Sequence, residues 1–342
     1  MKFYCGIDLH ATDCFMCVID DKDTIHLKEK VPNRLEGIVY RLNSFSPRPS
    51  VVVESTLNWY WLADGLQEAK FDVKLGHTLG LYMITGAKVK TDRRDAFTLA
   101  RLLRLNAVPQ AYIYPKNKRP MRDLLRRRNR LVFMRAEAYG TLRRILLQHG
   151  LYGHTQSAIK QLSEEQIVEH FDDAAIRCNC LLELERIRFY SRQIKVLEDM
   201  ILHSVADEPG FELLQTIPGV GKILALTIFY EVGDIDRFES QKHFCSYARV
   251  VPGIAQSGST SKRGRGSKQG NAYLKWAFCQ AAGLAIRYYS EVRKFRQRHL
   301  ARRRSKARKL ISLSIVAHKL AIAAYCVLKN QVPFKEELMF KA

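Results

Sequence analysis

Phe3-Tyr4-Cys5-Gly6-Ile7-Asp8 and, six residues on, Cys14-Phe15-Met16-Cys17-Val18-Ile19 open the chain as two short apolar runs, the first ending in an acid. Runs of this length and type predict buried strands, because a helix would need a longer stretch and a polar face. Thr24 to Val31 reads as a third strand, exposed on one face by its Lys and Glu residues. Leu35 to Leu42 has helical spacing. The cluster Ser46-Pro47-Arg48-Pro49-Ser50 breaks the chain before Val51-Val52-Val53, a buried strand. Trp59 to Ala69 is helical, Phe71 to Leu75 a further strand, and Asp95 to Leu105 a helix. Three strands in hairpin order followed by strand–helix alternation predict a mixed sheet flanked by helices, an α/β domain over residues 1–110.

Beyond Pro109 strand signals nearly vanish. Met121 to Leu147 and Ala174 to Val205 carry apolar residues at helical to heptad spacing, which fits an antiparallel coiled coil, within one chain or between subunits, as well as it fits two bundle helices. They make residues 111–208 a long-helix region. Residues 209–342 form a second helical domain, with helices at Asn271 to Tyr289 and about Lys306 to Leu328. Within it, Ile217-Pro218-Gly219-Val220-Gly221 has the form of a helix-hairpin-helix turn, whose glycines would bare amide groups to a phosphate. Gly253 to Gly270 is a loop rich in Gly, Ser, Lys and Arg.

Charge narrows the function. The 342 residues carry 56 Lys and Arg against 34 Asp and Glu, a formal net charge of +22. Most of the excess sits in two blocks: Lys88–Arg144 has 17 basic and 4 acidic residues, and Lys262–Lys309 has 16 basic and 1 acidic. Concentrated positive charge on an otherwise mildly acidic chain points to polyphosphate. In the first block Arg126, Arg127, Arg128 and Arg130 radiate around one helix as a phosphate track; in the second Lys262, Arg263, Arg265, Lys268 and then Arg302, Arg303 and Arg304 are the candidates. No run is expected to match a membrane span and no leader opens the chain, which reads as soluble and intracellular. Cys14-x-x-Cys17 lacks a second pair to complete a zinc site, so the early cysteines are expected in the core. Trp59, Tyr60 and Trp61 are expected to pack a helix rather than to stack on bases.

Four acids carry the chemistry. Asp8 ends the first strand and Glu54 the Val51-Val52-Val53 strand; Asp92 and Asp95 stand three apart at a helix start, in Lys90-Thr91-Asp92-Arg93-Arg94-Asp95-Ala96. Carboxylates at neighbouring strand ends and on one helix can converge on two Mg²⁺ ions, hard cations that suit oxygen ligands and phosphodiester displacement.

These pieces, with Ile217-Pro218-Gly219-Val220-Gly221, Ser257-Gly258 and Lys268-Gln269-Gly270-Asn271-x-x-Leu274-Lys275 following in order, make the chain resemble the DEDD transposases of insertion sequences, the IS-one-ten family with its eleven-eleven subgroup, related to Piv-type DNA invertases. The resemblance implies an RNase-H-like (RuvC-like) N-terminal domain holding Mg²⁺ on Asp8, Glu54, Asp92 and Asp95. It further implies a helical C-terminal transposase domain supplying a nucleophilic serine, and a non-coding guide RNA that pairs with target and donor DNA. A homo-oligomer in a bacterial or archaeal cytoplasm, near the nucleoid, completes the expectation. Physically, Ser257, Ser259, Ser261 and Ser267 are equivalent small polar residues in one basic loop. The family pattern, a serine before a glycine and shortly after a proline, selects Ser257, which follows Pro252. A junction-type nuclease using the same acids and water is the alternative. An actin-like kinase would need a Gly/Thr-rich phosphate loop after the first acid, where His10-Ala11-Thr12-Asp13 stands instead.

Overall fold

The computed structural model describes residues 1–85, 92–153, 155–204, 209–257, 260–264, 269–301, 307–335 and 337. The chain divides into two compact units, Met1–Asn117 and Lys118–Ala342.

In the first unit the expected strands form: β1 (Phe3–Leu9), β2 (Asp13–Asp20), β3 (Ile25–Pro32), then α1 (Leu35–Asn43), β4 (Ser50–Glu54), α2 (Tyr60–Glu68) and β5 (Val73–Gly76). A helix α3 (Thr78–Thr85) and a two-residue strand β6 (Gln110–Ala111), which composition does not betray, bracket α4 (Asp92–Arg104). The sheet order is β3-β2-β1-β4-β5-β6. β1 pairs antiparallel with β2 and parallel with β4, β4 runs parallel to β5, and β6 is antiparallel.

The period of two along β1 and β4 sorts the side chains. Cys5, Ile7, Val51 and Val53 pack with Ile38, Leu42, Leu62 and Leu66 of α1 and α2 on one face. On the other, Val52 meets Leu99, Leu102 and Leu103 of α4, while Phe15, Cys17 and Ile19 meet Ala96 and Ala100. Cys14 and Cys17, three apart on a strand, therefore face opposite sides of the sheet and share no ligand. Burial pushes the Cys14 thiol up to about 12 and the Cys17 thiol up to about 11, as expected of core residues. Trp59 is likewise buried, with Tyr60 and Trp61 packed against the same core.

The second unit is helical. α5 (Arg119–Gln148) and α8 (Ala174–Ser204) pair along their length, joined by α6 (Gln156–Gln161) and α7 (Glu164–His170). The pairing is antiparallel and lies within one chain: Leu125 meets Ile201, Leu131 meets Tyr190 and Ile194, and Ala138, Leu142 and Leu146 meet Cys180, Leu184 and Ile187. α9 (Pro209–Gln215), α10 (Lys222–Val232), α11 (Gln241–Tyr247), α12 (Ala272–Tyr288), α13 (Ser290–Ala301) and α14 (Arg308–Asn330) build one core around Phe244, Phe278 and Leu320.

Two expectations are corrected here. α14 is long and apolar enough to cross a membrane, contrary to the reading that no run approaches that length. Its Val316, Ala317, Leu320, Ala321, Ala324 and Val327 are buried in the core, which accounts for its composition. The stretch expected as one loop from Gly253 to Gly270 instead contains a hairpin, β7 (Gly253–Ser257) against β8 (Thr260–Gly264), with Ser257 opposite Thr260. The Gly, Ser, Lys and Arg content of the stretch conceals these two strands.

Candidate active site

β1, β4 and β5 are parallel and finish together at Leu9, Glu54 and Gly76. Ile7 lies opposite Val53, so the next residues, Asp8 and Glu54, stand side by side at the carboxyl edge, both on the face that α4 covers. Gly6 decides how α4 lies there. A Cβ at Gly6 would stand 2.1 Å from the Ala96 carbonyl oxygen and 2.5 Å from the Ala100 nitrogen, so only glycine lets the helix backbone rest on the strand. The far end of α4 fixes its direction. Arg104 Nε and Nη2 donate to the two Asp23 oxygens at 2.7 and 3.0 Å, and Nη1 donates to the Asp21 carbonyl at 3.3 Å. Asp21 and Asp23 follow β2 at the level where Asp20 pairs with Phe3, the start of β1. α4 thus runs antiparallel to β1, and its N-terminus reaches the end of the strand where Asp8 and Glu54 sit.

The levels agree. Asp92 precedes Ala96 by four residues, about 6 Å along a helix, and Asp8 follows Gly6 by two, about 6.7 Å along a strand. Asp95 is half-buried and falls in the helical row of Leu99 and Leu102, which faces Val52 and therefore β4. Asp8 is 5 % exposed, with its Oδ2 3.4 Å from His10 Nε2. The His10 carbonyl accepts from Asn33 Nδ2 at 2.9 Å and Asn58 Nδ2 at 2.7 Å, which ties down the turn after β1. The Asp92 side chain lies outside the described atoms. Among the described residues no three His, Cys, Asp or Glu side chains stand close enough to hold a metal ion by themselves. The donor chemistry nonetheless suits a hard divalent cation: oxygen ligands only, at a strand edge, one of them buried.

The second unit holds the remaining candidates. Ser257 is the last residue of β7, and Lys262 and Arg263 lie on β8; their side chains, with Ser259, Arg265, Lys268 and Arg302 to Arg304, are outside the described residues. Gly219 and Gly221 have different tasks. Gly219 has φ +78°, and a Cβ there would stand 2.2 Å from the Ala281 carbonyl oxygen, so packing against α12 requires it. Gly221, in open space, is the N-cap of α10, and no side chain caps that helix.

The arginine track is only half free. Arg126 is paired with Glu231 and Arg128 with Glu198, whereas Arg127 and Arg130 are exposed. The sequence could not reveal this, because the partners lie 105 and 70 residues away. The pairing of the buried Glu231 with Asn271, 40 residues further on, is hidden for the same reason.

With this geometry in view, comparison with known proteins is decisive. A DEDD transposase model of the IS110 type matches residues 5–150, and the model of the transposase IS116/IS110/IS902 family matches residues 211–297. The chain belongs to this family. A Sinorhizobium fredii protein assigned to the transposases, y4qE, is 31 % identical over 205 residues, 58 % of this chain but 48 % of its own length. The pilin gene-inverting protein of Moraxella bovis is 26 % identical over 259 residues, 74 % of this chain and 70 % of that one. The transposase for insertion sequence element IS1111A of Coxiella burnetii is 26 % identical over 210 residues, 58 % of this chain and 56 % of that one. The chain thus matches about half of the length of some curated relatives and about two thirds of others. The IS110-type model spans Asp8, Glu54, Asp92 and Asp95; the second spans Gly219, Gly221, Ser257 and the basic hairpin.

Proposed function

We propose that the protein is a transposase or site-specific recombinase that cuts and rejoins DNA strands. The observation that carries this reading is the course of α4 over Gly6, which takes Asp95 and the first residue of the helix, Asp92, to the strand edge where Asp8 and Glu54 end. The sheet order, with three antiparallel strands first and two parallel ones after, supports an RNase-H-like (RuvC-like) domain.

In this reading Asp8, Glu54, Asp92 and Asp95 hold Mg²⁺, two ions per site. Bound there, the metal would polarise a phosphodiester and neutralise the charge that builds on its oxygens. The chain's own residues do the rest. Ser257 Oγ attacks phosphorus, an Oγ–P bond forms as one bridging P–O bond breaks, and the strand end leaves as a hydroxyl after taking up a proton. The phosphoserine link conserves the bond for rejoining, which a hydroxyl of another strand completes by displacing the serine. Lys262, Arg263 and Arg265 stabilise the developing negative charge, and Arg127 and Arg130 grip the phosphate backbone. Target and donor DNA are chosen by pairing with a non-coding guide RNA, and the active form is a homo-oligomer, a dimer or tetramer.

The test is the reaction of the purified protein with end-labelled DNA and Mg²⁺, with and without co-expressed RNA. Strand cleavage that needs Mg²⁺ and disappears in Asp8→Asn, Glu54→Gln and Asp95→Asn is expected; cleavage surviving all three overturns the assignment of the site.

A further inference from the structure

Glu231 is a carboxylate inside an apolar helix and is 1 % exposed. A carboxylate is buried at such cost only where its charge and lone pairs are met. Arg126 Nε and Nη2 donate to its two oxygens at 2.6 and 2.8 Å, and Asn271 Nδ2 donates to Oε2 at 2.7 Å. The Arg126 guanidinium also lies over the Tyr273 ring, 4.7 Å from its centre.

Asn271 is where the chain re-enters the fold after β8. Its Oδ1 accepts from the Tyr273 and Leu274 amides at 2.9 and 3.0 Å, capping α12, and its own amide donates to the Tyr247 carbonyl at 2.6 Å. Gly270, with φ +95°, fits beside that carbonyl, which would stand 2.4 Å from a Cβ. On the incoming side the Val250 amide donates to the Cys245 carbonyl at 3.2 Å. Both ends of the segment carrying the β7–β8 hairpin are therefore held by carbonyls near the end of α11, and the returning end is held a second time by Glu231.

We propose that Glu231 is a positioning residue: with Arg126 it clamps Asn271, and through Asn271 it fixes the aim of the hairpin that carries Ser257. Arg126 neighbours the exposed Arg127 and Arg130 on α5, so the clamp ties the face that meets phosphate to the hairpin that reacts with it. This inference rests on the serine reading for its catalytic consequence, though not for its structural one.

Asn271→Asp isolates the clamp. Aspartate caps a helix as well as asparagine does, but its carboxylate faces Glu231 and repels it. Asn271→Asp with Glu231→Gln restores one amide and one carboxylate around Arg126. Hydrogen exchange of the amides at 253–257 and 260–264 should accelerate in Asn271→Asp by about tenfold. Formation of the covalent protein–DNA adduct should slow on the order of tenfold, as a misaimed reacting group does, while DNA affinity changes by less than about twofold. The double variant should recover most of both. Wild-type hairpin exchange in Asn271→Asp overturns the clamp, and so does a loss, including loss of folding, that the double variant fails to repair. If the wild-type protein forms no adduct, the serine reading fails on its own, and the exchange comparison still decides the clamp.

Discussion

Gly6 shows how much one missing carbon can place. Its Cβ would collide with two backbone atoms of α4, not with a flexible side chain, so relief requires the helix to move. Gly6→Ala should cost about 1–3 kcal/mol, the usual penalty of overpacking, measured by urea unfolding. It should also abolish Mg²⁺-dependent cleavage in protein that still folds, because Asp92 and Asp95 ride on the displaced helix; unimpaired cleavage would show that α4 needs no such fit. Gly221→Ala, in open space, meets no clash and should cost only the N-cap preference for glycine over alanine, about 1 kcal/mol or less. The positions of Asp8 and Glu54 near strand ends are legible in the sequence, although β1 runs one residue past Asp8 to Leu9. The role of Gly6 is not, because nothing in Gly-Ile-Asp says which helix will cover it.

At the scale of elements, the long helix α5 carries two kinds of arginine. Arg126 and Arg128 hold the second unit together through Glu231 and Glu198, while Arg127 and Arg130 are exposed. Replacing Arg127 and Arg130 with Ala should flatten the dependence of log affinity on log salt by about two, because every phosphate left without its arginine retains roughly 0.9 of a counterion. Binding isotherms across a salt series measure it, and an unchanged slope would make the exposed pair a merely solvated face. Arg126→Ala should instead destabilise the fold, since it strands the carboxylate of Glu231 in the core. Strands and long helices can be read from residue type and period. α3, the two-residue β6 and the β7–β8 hairpin cannot: β6 is fixed by its pairing with β5, and the hairpin hides two short strands in a stretch whose Gly, Ser and Lys content reads as loop. The spacing in α5 and α8 marks two long helices with apolar faces, but their antiparallel partnership within one chain comes only from the structure.

For the molecule as a whole, two basic blocks and the match to transposase models independently support the proposed polyphosphate partner. If guide pairing selects the DNA, protein expressed with its flanking non-coding sequence should co-purify with one discrete small RNA that resists high-salt washing. A heterogeneous smear, released by salt, would contradict the guided reading and leave only backbone binding. The central claim, that strand exchange needs both a serine nucleophile and the carboxylates, is tested most directly on a denaturing gel. Labelled DNA, Mg²⁺ and the RNA-loaded protein should yield a covalent protein–DNA adduct that is lost in Ser257→Ala, with DNA binding retained, and lost equally in Asp8→Asn. Cleavage with no adduct in the wild type would contradict the serine and favour water as the nucleophile, and an adduct that persists in Ser257→Ala would contradict the choice of that residue.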